Sequence, residues 1–361
     1  MSQREPALHR ELFGHIGDTA VHRYVLAWPG GLTVRVLDYG GIVQSLEAPD
    51  RDGVPANVVL GFSSLDDYVK NSQPGENRVF FGAVIGRYAN RIARGAFTLD
   101  DVGYRLPVND GPNSLHGGPN GFDTRVWSAS ELREPDSVGV RLDLVSPDGD
   151  GGFPGAVAAQ VTYRLDRHNR LTITYTATAD APTVLNMTNH TYWNLAGEGT
   201  GDVHGQSLML NAGRFCPVDE TLIPVGDPVA VDGGPFDFRL PTAIGARIGA
   251  PHPQLGIAGG YDHNWVLDSS GASFAAQACD PGSGRLLTLW TTEPGLQFYS
   301  GNFLTDDLVG TGGRPYGPGA GFALEAQHFP DSPNRPDFPS TVLRPGEVYH
   351  QETVFQLSTA D

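Results

Sequence analysis

Apolar and polar residues alternate with a period of two through much of this chain. Between positions 171 and 179, Leu171, Ile173, Tyr175, Ala177 and Ala179 are apolar, while Thr172, Thr174, Thr176 and Thr178 between them are polar. An extended strand sends such residues to opposite faces, so the segment reads as a half-buried strand. The same pattern recurs in Val138, Val140, Leu142 and Leu144, in Val161, Tyr163 and Leu165, and in Leu32, Val34 and Val36, each run ending in Gly, Pro, Asp or Asn turn chemistry. Half-buried strands joined by short turns imply antiparallel sheets. Helical periodicity is nearly absent. The best stretch is a short turn through Ser64, Leu65, Asp66, Asp67 and Tyr68 with Ser63 or Ser64 as N-cap, and one short helix does not cover a parallel sheet. Strands separated by turns at intervals of roughly 8 to 12 residues predict a sandwich or barrel, and no fixed-period repeat marks a propeller.

A chain of 361 residues accommodates two ordinary domains or one large β architecture. Its 47 glycines and 28 prolines follow no collagen period and accompany no long polar tract, as expected of a turn-dense globular protein. The turn-like stretch from Asp148 to Gly155 is too short to separate domains. The reading is therefore all-β, a large antiparallel β-sandwich forming a single domain over residues 1–361, with two domains as the alternative. The formal charge of −17 makes nucleic acid and anionic membranes poor partners. No stretch approaches the ~20 apolar residues of a spanning helix, and the start MSQREPALHRELFG is polar where a signal peptide is apolar. Cys216 and Cys279 form no metal-type pair and lie far apart in sequence, which supports neither a zinc ribbon nor a disulfide framework. A reducing, cytoplasmic location is expected.

Four segments gather polar side chains beside aromatic ones, the composition of a saccharide site, where rings stack on sugar faces and amides and charges meet the hydroxyl rim. GRYANRIARGAFTLDDVGYRL places Asn90 and Arg91 between a Gly-containing turn and an amphipathic strand; a solvated arginine is the plainer reading. NDGPNSLHGG puts His116 before two glycines that let backbone approach a ligand closely, although a lone loop histidine is more often structural. NMTNHTYWNLAG surrounds His190 with Thr188, Asn189, Thr191, Tyr192, Trp193 and Asn194, a density of hydrogen-bonding groups that favours function. The fourth region runs from GYDHNWVL, with Asp262 and His263, through TEPGLQFYSGNFL, with Glu293 and Gln297, to GFALEAQHFPDSPNRPDFPS. There Glu325 follows Phe322, Ala323 and Leu324, and a carboxylate in an apolar run needs a partner or a purpose. Strand parity puts Gln327 on its face and turns His328 away unless a bulge intervenes. His116, His190 and Glu325 are too far apart in sequence for a local metal motif, and no HExxH, Walker loop or nucleophile elbow occurs.

Taken together, NRIARGAFTLD, GPNSLHGG, TNHTYWNLAG, PFDFR, GYDHNWVL, EPGLQFYSGNF and LEAQHFPDSPNRPDFPS resemble the aldose 1-epimerase (galactose mutarotase) family, from about Val34 to the last strand. The resemblance implies a β-supersandwich that interconverts the α and β anomers of free hexoses such as galactose and glucose, without metal or organic cofactor. It implies Glu325 as general base, His190 as general acid and His116 as the second active-site histidine. Asn90, Arg91, Asp262 and Gln297 match positions that hold sugar hydroxyls. The expected partner is a small free aldose, and the expected assembly a monomer or weak homodimer. Two departures stand out: Asp100-Asp101 replaces an Asp-Gly turn before Tyr104, and Arg214-Phe215-Cys216-Pro217 varies an aromatic-Thr/Leu-Pro string.

Chemistry asks for the same pair. Anomer exchange takes a proton from the anomeric hydroxyl and delivers one to the ring oxygen. An ordinary Glu, with pKa near ~4.3, is ionised at neutral pH and accepts; a His near ~6.5 donates once protonated. The expectation is that neither pKa lies far from working pH and that the two groups meet on opposite sides of the bound hemiacetal. The rival readings are a glycoside hydrolase using Glu325 with Asp262 or Glu293, a hexose-phosphate epimerase using Arg91 with Arg87 and Arg94, and a non-catalytic saccharide-binding module.

Overall fold

The computed structural model describes residues 5–73, 78–268 and 271–360. The alternating runs all form strands. Leu171 through Ala179 lie in Arg170–Ala179, where Leu171, Ile173, Tyr175, Ala177 and Ala179 are buried between threonines that are not fully covered. The runs at 138–144, 161–165 and 34–36 fall in Ser137–Ser146, Val157–Asp166 and Thr33–Leu37. Ser64 caps the short helix Leu65–Asn71 by accepting from the Asp67 N–H at 3.2 Å. A second helix, Pro253–Ala258, begins at proline and ends at Gly259 with φ of +65°. At six residues it is too short to show a period.

Three sheets organise the chain. The first five strands form an antiparallel meander in sequence order. A nine-stranded sheet carries the four consecutive strands from Ser128–Glu134 to Arg170–Ala179, then the last strand, Tyr349–Thr359, then Arg285–Thr291 and Ser273–Cys279. A six-stranded sheet contains Tyr192–Trp193, Phe322–Gln327, Gly295–Tyr299 and Asp262–Val266 as neighbours. The inward faces of all three share one apolar core that includes Leu26, Val36, Leu142, Ile173, Phe298, Leu324 and Phe355. The expected antiparallel sandwich is borne out.

The six-stranded sheet departs from the half-buried pattern. Every residue of Asp262–Val266, Gly295–Tyr299 and Phe322–Gln327 is buried. Trp265, Leu296, Phe298, Leu324 and Ala326 supply one face to the core, which leaves Asp262, Asn264, Gln297, Glu325 and Gln327 on the other by strand alternation. A polar face without solvent is the floor of a site.

Candidate active site

A cleft of about 910 Å³ opens over that floor and is lined by Asn90, Arg91, His116, His190, Asp262 and Glu325, six of the seven residues singled out by sequence. The seventh, Gln297, sits directly opposite Glu325 in register and donates from Nε2 to Asp262 Oδ1 at 2.7 Å. It reaches the cleft through that aspartate.

Backbone turns aim the two histidines. His116 has φ of +54° and is followed by Gly117 and Gly118 at +83° and +84°. A Cβ at Gly117 would fall 2.1 Å from the Gly86 carbonyl oxygen, so glycine is required there. The bend brings the His116 ring to Asn90, whose backbone N–H donates to Nδ1 at 3.1 Å. Asn90 is itself left-handed, with φ of +65°, and its Oδ1 accepts from the Arg91 N–H at 2.9 Å. His190 lies between the two-residue strands Thr188–Asn189 and Tyr192–Trp193. Its ring stacks on Tyr192 and Phe80 and meets His116 edge-on at 5.2 Å between centroids.

His190 Nε2 and Glu325 Oε1 are 3.4 Å apart, with both residues less than 5% exposed. They stand side by side. Both line one cleft as neighbours. Protonation differs from expectation. Burial, followed by the charge of Asp262, pushes the Glu325 carboxyl well above its ordinary range, against the pull of Arg91. Burial takes His190 down to about 3. Burial, followed by the charges of His190, Arg91 and Arg78, pushes His116 well below its ordinary range. Asp262 is raised by burial and restrained by Arg91 and Gln297.

Ligand-type atoms of His116, His190 and Glu325 lie within 4.8 Å of one another, a spacing that would suit a divalent cation. The hydrogen bond at His116 argues against that use. Because Nδ1 accepts from Asn90, the neutral ring carries its proton on Nε2, and a protonated nitrogen donates to an oxygen and does not ligate.

The cations in the cleft wall are paired. Arg91 donates to Asp110 at 2.7 Å and lies 3.9 Å from Asp262, and Arg78 meets Asp123 at 2.5 Å. Sequence reading missed Arg78, Asp110 and the aromatic wall of Phe80, Tyr192, Tyr299 and Phe303 as lining residues. NHTYWN already contained Tyr192 and LQFYSGNF contained Tyr299 and Phe303, but alternation alone does not tell a core aromatic from a cleft one. Glu293 lies elsewhere. Its Oε2 accepts from His328 Nδ1 at 2.7 Å beside a second cleft. That placement agrees with His328 turning away from Glu325. Arg87 is buried and spends its donors on Ser146, Pro147 and Pro154.

Comparison with known proteins gives one answer. Residues 22–356 match the family model described as aldose 1-epimerase. The chain is 43% identical over 354 residues to galactose mutarotase of Rattus norvegicus, covering 97% of this chain and 98% of that one. It is 41% identical over 330 residues to aldose 1-epimerase of Escherichia coli strain K12, covering 90% and 92%. The crystal structure of galactose 1-epimerase from Lactobacillus acidophilus superposes with a TM-score of 0.86 at 28% identity, over 99% of this chain and all of that one. Fold, cleft and sequence converge, and the chain belongs to the aldose 1-epimerase family.

Proposed function

We propose that the cleft interconverts the α and β anomers of a free aldose, with galactose and glucose as the first substrates to try, Glu325 as general base and His190 as general acid. The observation that carries this reading is the direct approach of a buried carboxylate to a buried imidazole on the floor of an aromatic-walled cleft. Ring opening needs one proton taken from the anomeric hydroxyl and one given to the ring oxygen. Glu325 accepts the first as the C1–O5 bond breaks, and His190 supplies the second. The aldehyde end rotates about C1–C2, the ring recloses on its other face, and both protons return, so each group ends as it began. A positioned proton transfer contributes about 10²- to 10⁴-fold, and two together account for useful acceleration.

The pair needs only one proton. In the free protein burial favours its uncharged arrangement, a protonated Glu325 beside a neutral His190. Passing that proton across the 3.4 Å contact creates the carboxylate and imidazolium that the reaction uses. Sugar hydroxyls donating to the carboxylate, with Arg91 nearby, favour the charged arrangement once substrate is bound. His116 Nε2–H and Arg91 stabilise charge on the opening ring, while Asn90 and Asp262 fix hydroxyls, with Gln297 orienting Asp262.

The rivals fit less well. A hydrolase needs a second working carboxylate at Glu325, but Glu293 faces another cleft and Asp262 is held by Gln297 beside Arg91. A hexose-phosphate substrate needs a spare cation in the cleft, but Arg91 and Arg78 are both matched by carboxylates, Arg87 is consumed by main-chain and serine oxygens, and Arg94 is exposed and does not line the cleft. Polarimetry on freshly dissolved α-glucose and α-galactose tests the proposal. The protein accelerates the drift to equilibrium rotation, and His190→Asn loses at least about 10²-fold; an unchanged drift would overturn the proposal in favour of saccharide binding or action on a glycoside. A panel of free and phosphorylated aldoses then ranks substrates.

A further inference from the structure

The strand face that carries Glu325 holds more polar atoms than the protein pairs. Gln297 stands opposite Glu325, Asn264 opposite Gln297, and Gly295 opposite Gln327. Asn264 Oδ1, Gln297 Oε1, Glu325 Oε2 and both side-chain polar atoms of Gln327 are buried with no hydrogen-bond partner among the described residues. Gln327 is fully buried, at 0% exposure, and does not line the cleft. Gly295 keeps the group together: a Cβ there would lie 2.5 Å from Asn264 Oδ1 and 3.0 Å from the Gln327 carbonyl oxygen. A dry, unpaired amide is costly in a folded interior. Five unpaired atoms on three adjacent strands form instead the setting in which buried water resides, each molecule making about three hydrogen bonds.

We propose that Gln327, with Asn264, holds a buried water cluster behind Glu325 that gives Oε2 its hydrogen-bond partner, making Gln327 a positioning residue for the proton-accepting carboxyl. The inference rests on the role assigned to Glu325 above. The cluster anchors the oxygen turned away from substrate, so Oε1 stays aimed at His190 and the sugar. Among the described residues, the ionisable groups that line the cleft with this carboxyl are Arg78, Arg91, Asp110, His116, His190, Tyr192, Asp262 and Tyr299; none of them pairs Oε2.

Gln327→Met tests this, because methionine is unbranched and of similar reach but offers neither amide atom. Expected are a fall in kcat of about ten- to a hundredfold, an unchanged KM, and an alkaline limb of the pH profile displaced upward because Glu325 has lost a solvating partner. Gln327→Asn, which keeps an amide and leaves room for one more water, should recover most of kcat. An unchanged kcat and pH profile with a higher Tm would show the amide to be a dry structural residue and overturn the proposal, as would a KM that rises in step with the loss of kcat. A high-resolution crystal structure of the unmutated protein gives a reading independent of turnover. An ordered water between Glu325 Oε2 and the Gln327 amide is expected; a dry face, or direct amide-to-carboxyl contact, overturns it. Wild-type protein inert in polarimetry would defeat the assigned activity, whereas a missing water would defeat only this inference.

Discussion

On the proposed assignment Glu325 and His190 share one proton, and burial sets the pH range over which they do so. Ordinary groups with pKa values of about 4.3 and 6.5 would keep a single proton only between those values. Here the imidazole is pushed down to about 3 and the carboxyl is pushed up, so the second proton arrives only in strong acid and the last one leaves only above the ordinary carboxylate range. The profile of kcat/KM should therefore show an acid limb below about 4.3 and an alkaline limb that titrates Glu325. Initial rates after brief pH jumps check it, and an acid midpoint near ~4.3 with decline near ~6.5 would mean that burial does not act on the pair. The same shift carries a stability consequence. The folded protein keeps a proton on Glu325 that the unfolded chain releases, so stability falls as pH rises from the unfolded carboxyl pKa through the raised folded one. Gln has no such proton to lose. Glu325→Gln should melt with the wild type near pH 4 and above it near pH 8, while losing at least about 10²-fold in mutarotation; equal melting temperatures at both pH values would contradict the raised carboxyl.

Local elements read well where one face meets water and poorly where neither does. The Thr172 to Thr178 alternation was legible because solvent keeps one side of Arg170–Ala179 polar. The floor strands are polar on one face for a different reason, the cleft, and the meaning of Gln297 and Glu325 came from motif resemblance. Two-residue strands such as Arg91–Ile92 and Ser114–Leu115 carry no periodic signal at all. The Asp100-Asp101 departure has a definite outcome. Leu99 pairs with Val102, so these two residues form the whole turn, with φ of +49° and +63°. Both values positive indicate the hairpin geometry that prefers Asn or Asp followed by Gly. Asp100 is also held by two contacts to Arg344, at 2.8 and 2.9 Å, whereas among the described residues no such contact holds Asp101 in its left-handed conformation. Asp101→Gly removes a backbone cost of about 1–2 kcal/mol and adds about 0.5–1 kcal/mol of unfolded-state entropy. A net gain of about 0.5–1 kcal/mol is expected, read as a higher urea midpoint at constant slope with unchanged mutarotation rate.

Strand partners across the molecule were beyond local pattern, because period two fixes which residues face inward but not which strand lies alongside. The last strand shows what is at stake. Tyr349–Thr359 pairs with Arg170–Ala179 on one edge and Arg285–Thr291 on the other, joining segments more than a hundred residues apart within the nine-stranded sheet. Its Phe355 and Leu357 enter a core that also contains Leu8 and Leu26 from the opening strands and Trp193, Leu324 and Ala326 from beneath the cleft. A division into two folding units would have to cut this core and separate the last strand from one of its partners. A single cooperative unit is therefore expected, and the five tryptophans make it testable. Trp28 follows the opening meander's second strand, Trp127 precedes the nine-stranded sheet, Trp193 and Trp265 lie in the six-stranded sheet, and Trp290 is in Arg285–Thr291. Their fluorescence samples all three regions, whereas far-ultraviolet circular dichroism follows the strands together. The two probes should trace one coincident urea transition. Two separated transitions, with fluorescence leading or trailing dichroism, would establish two domains and return the second reading of the chain's length.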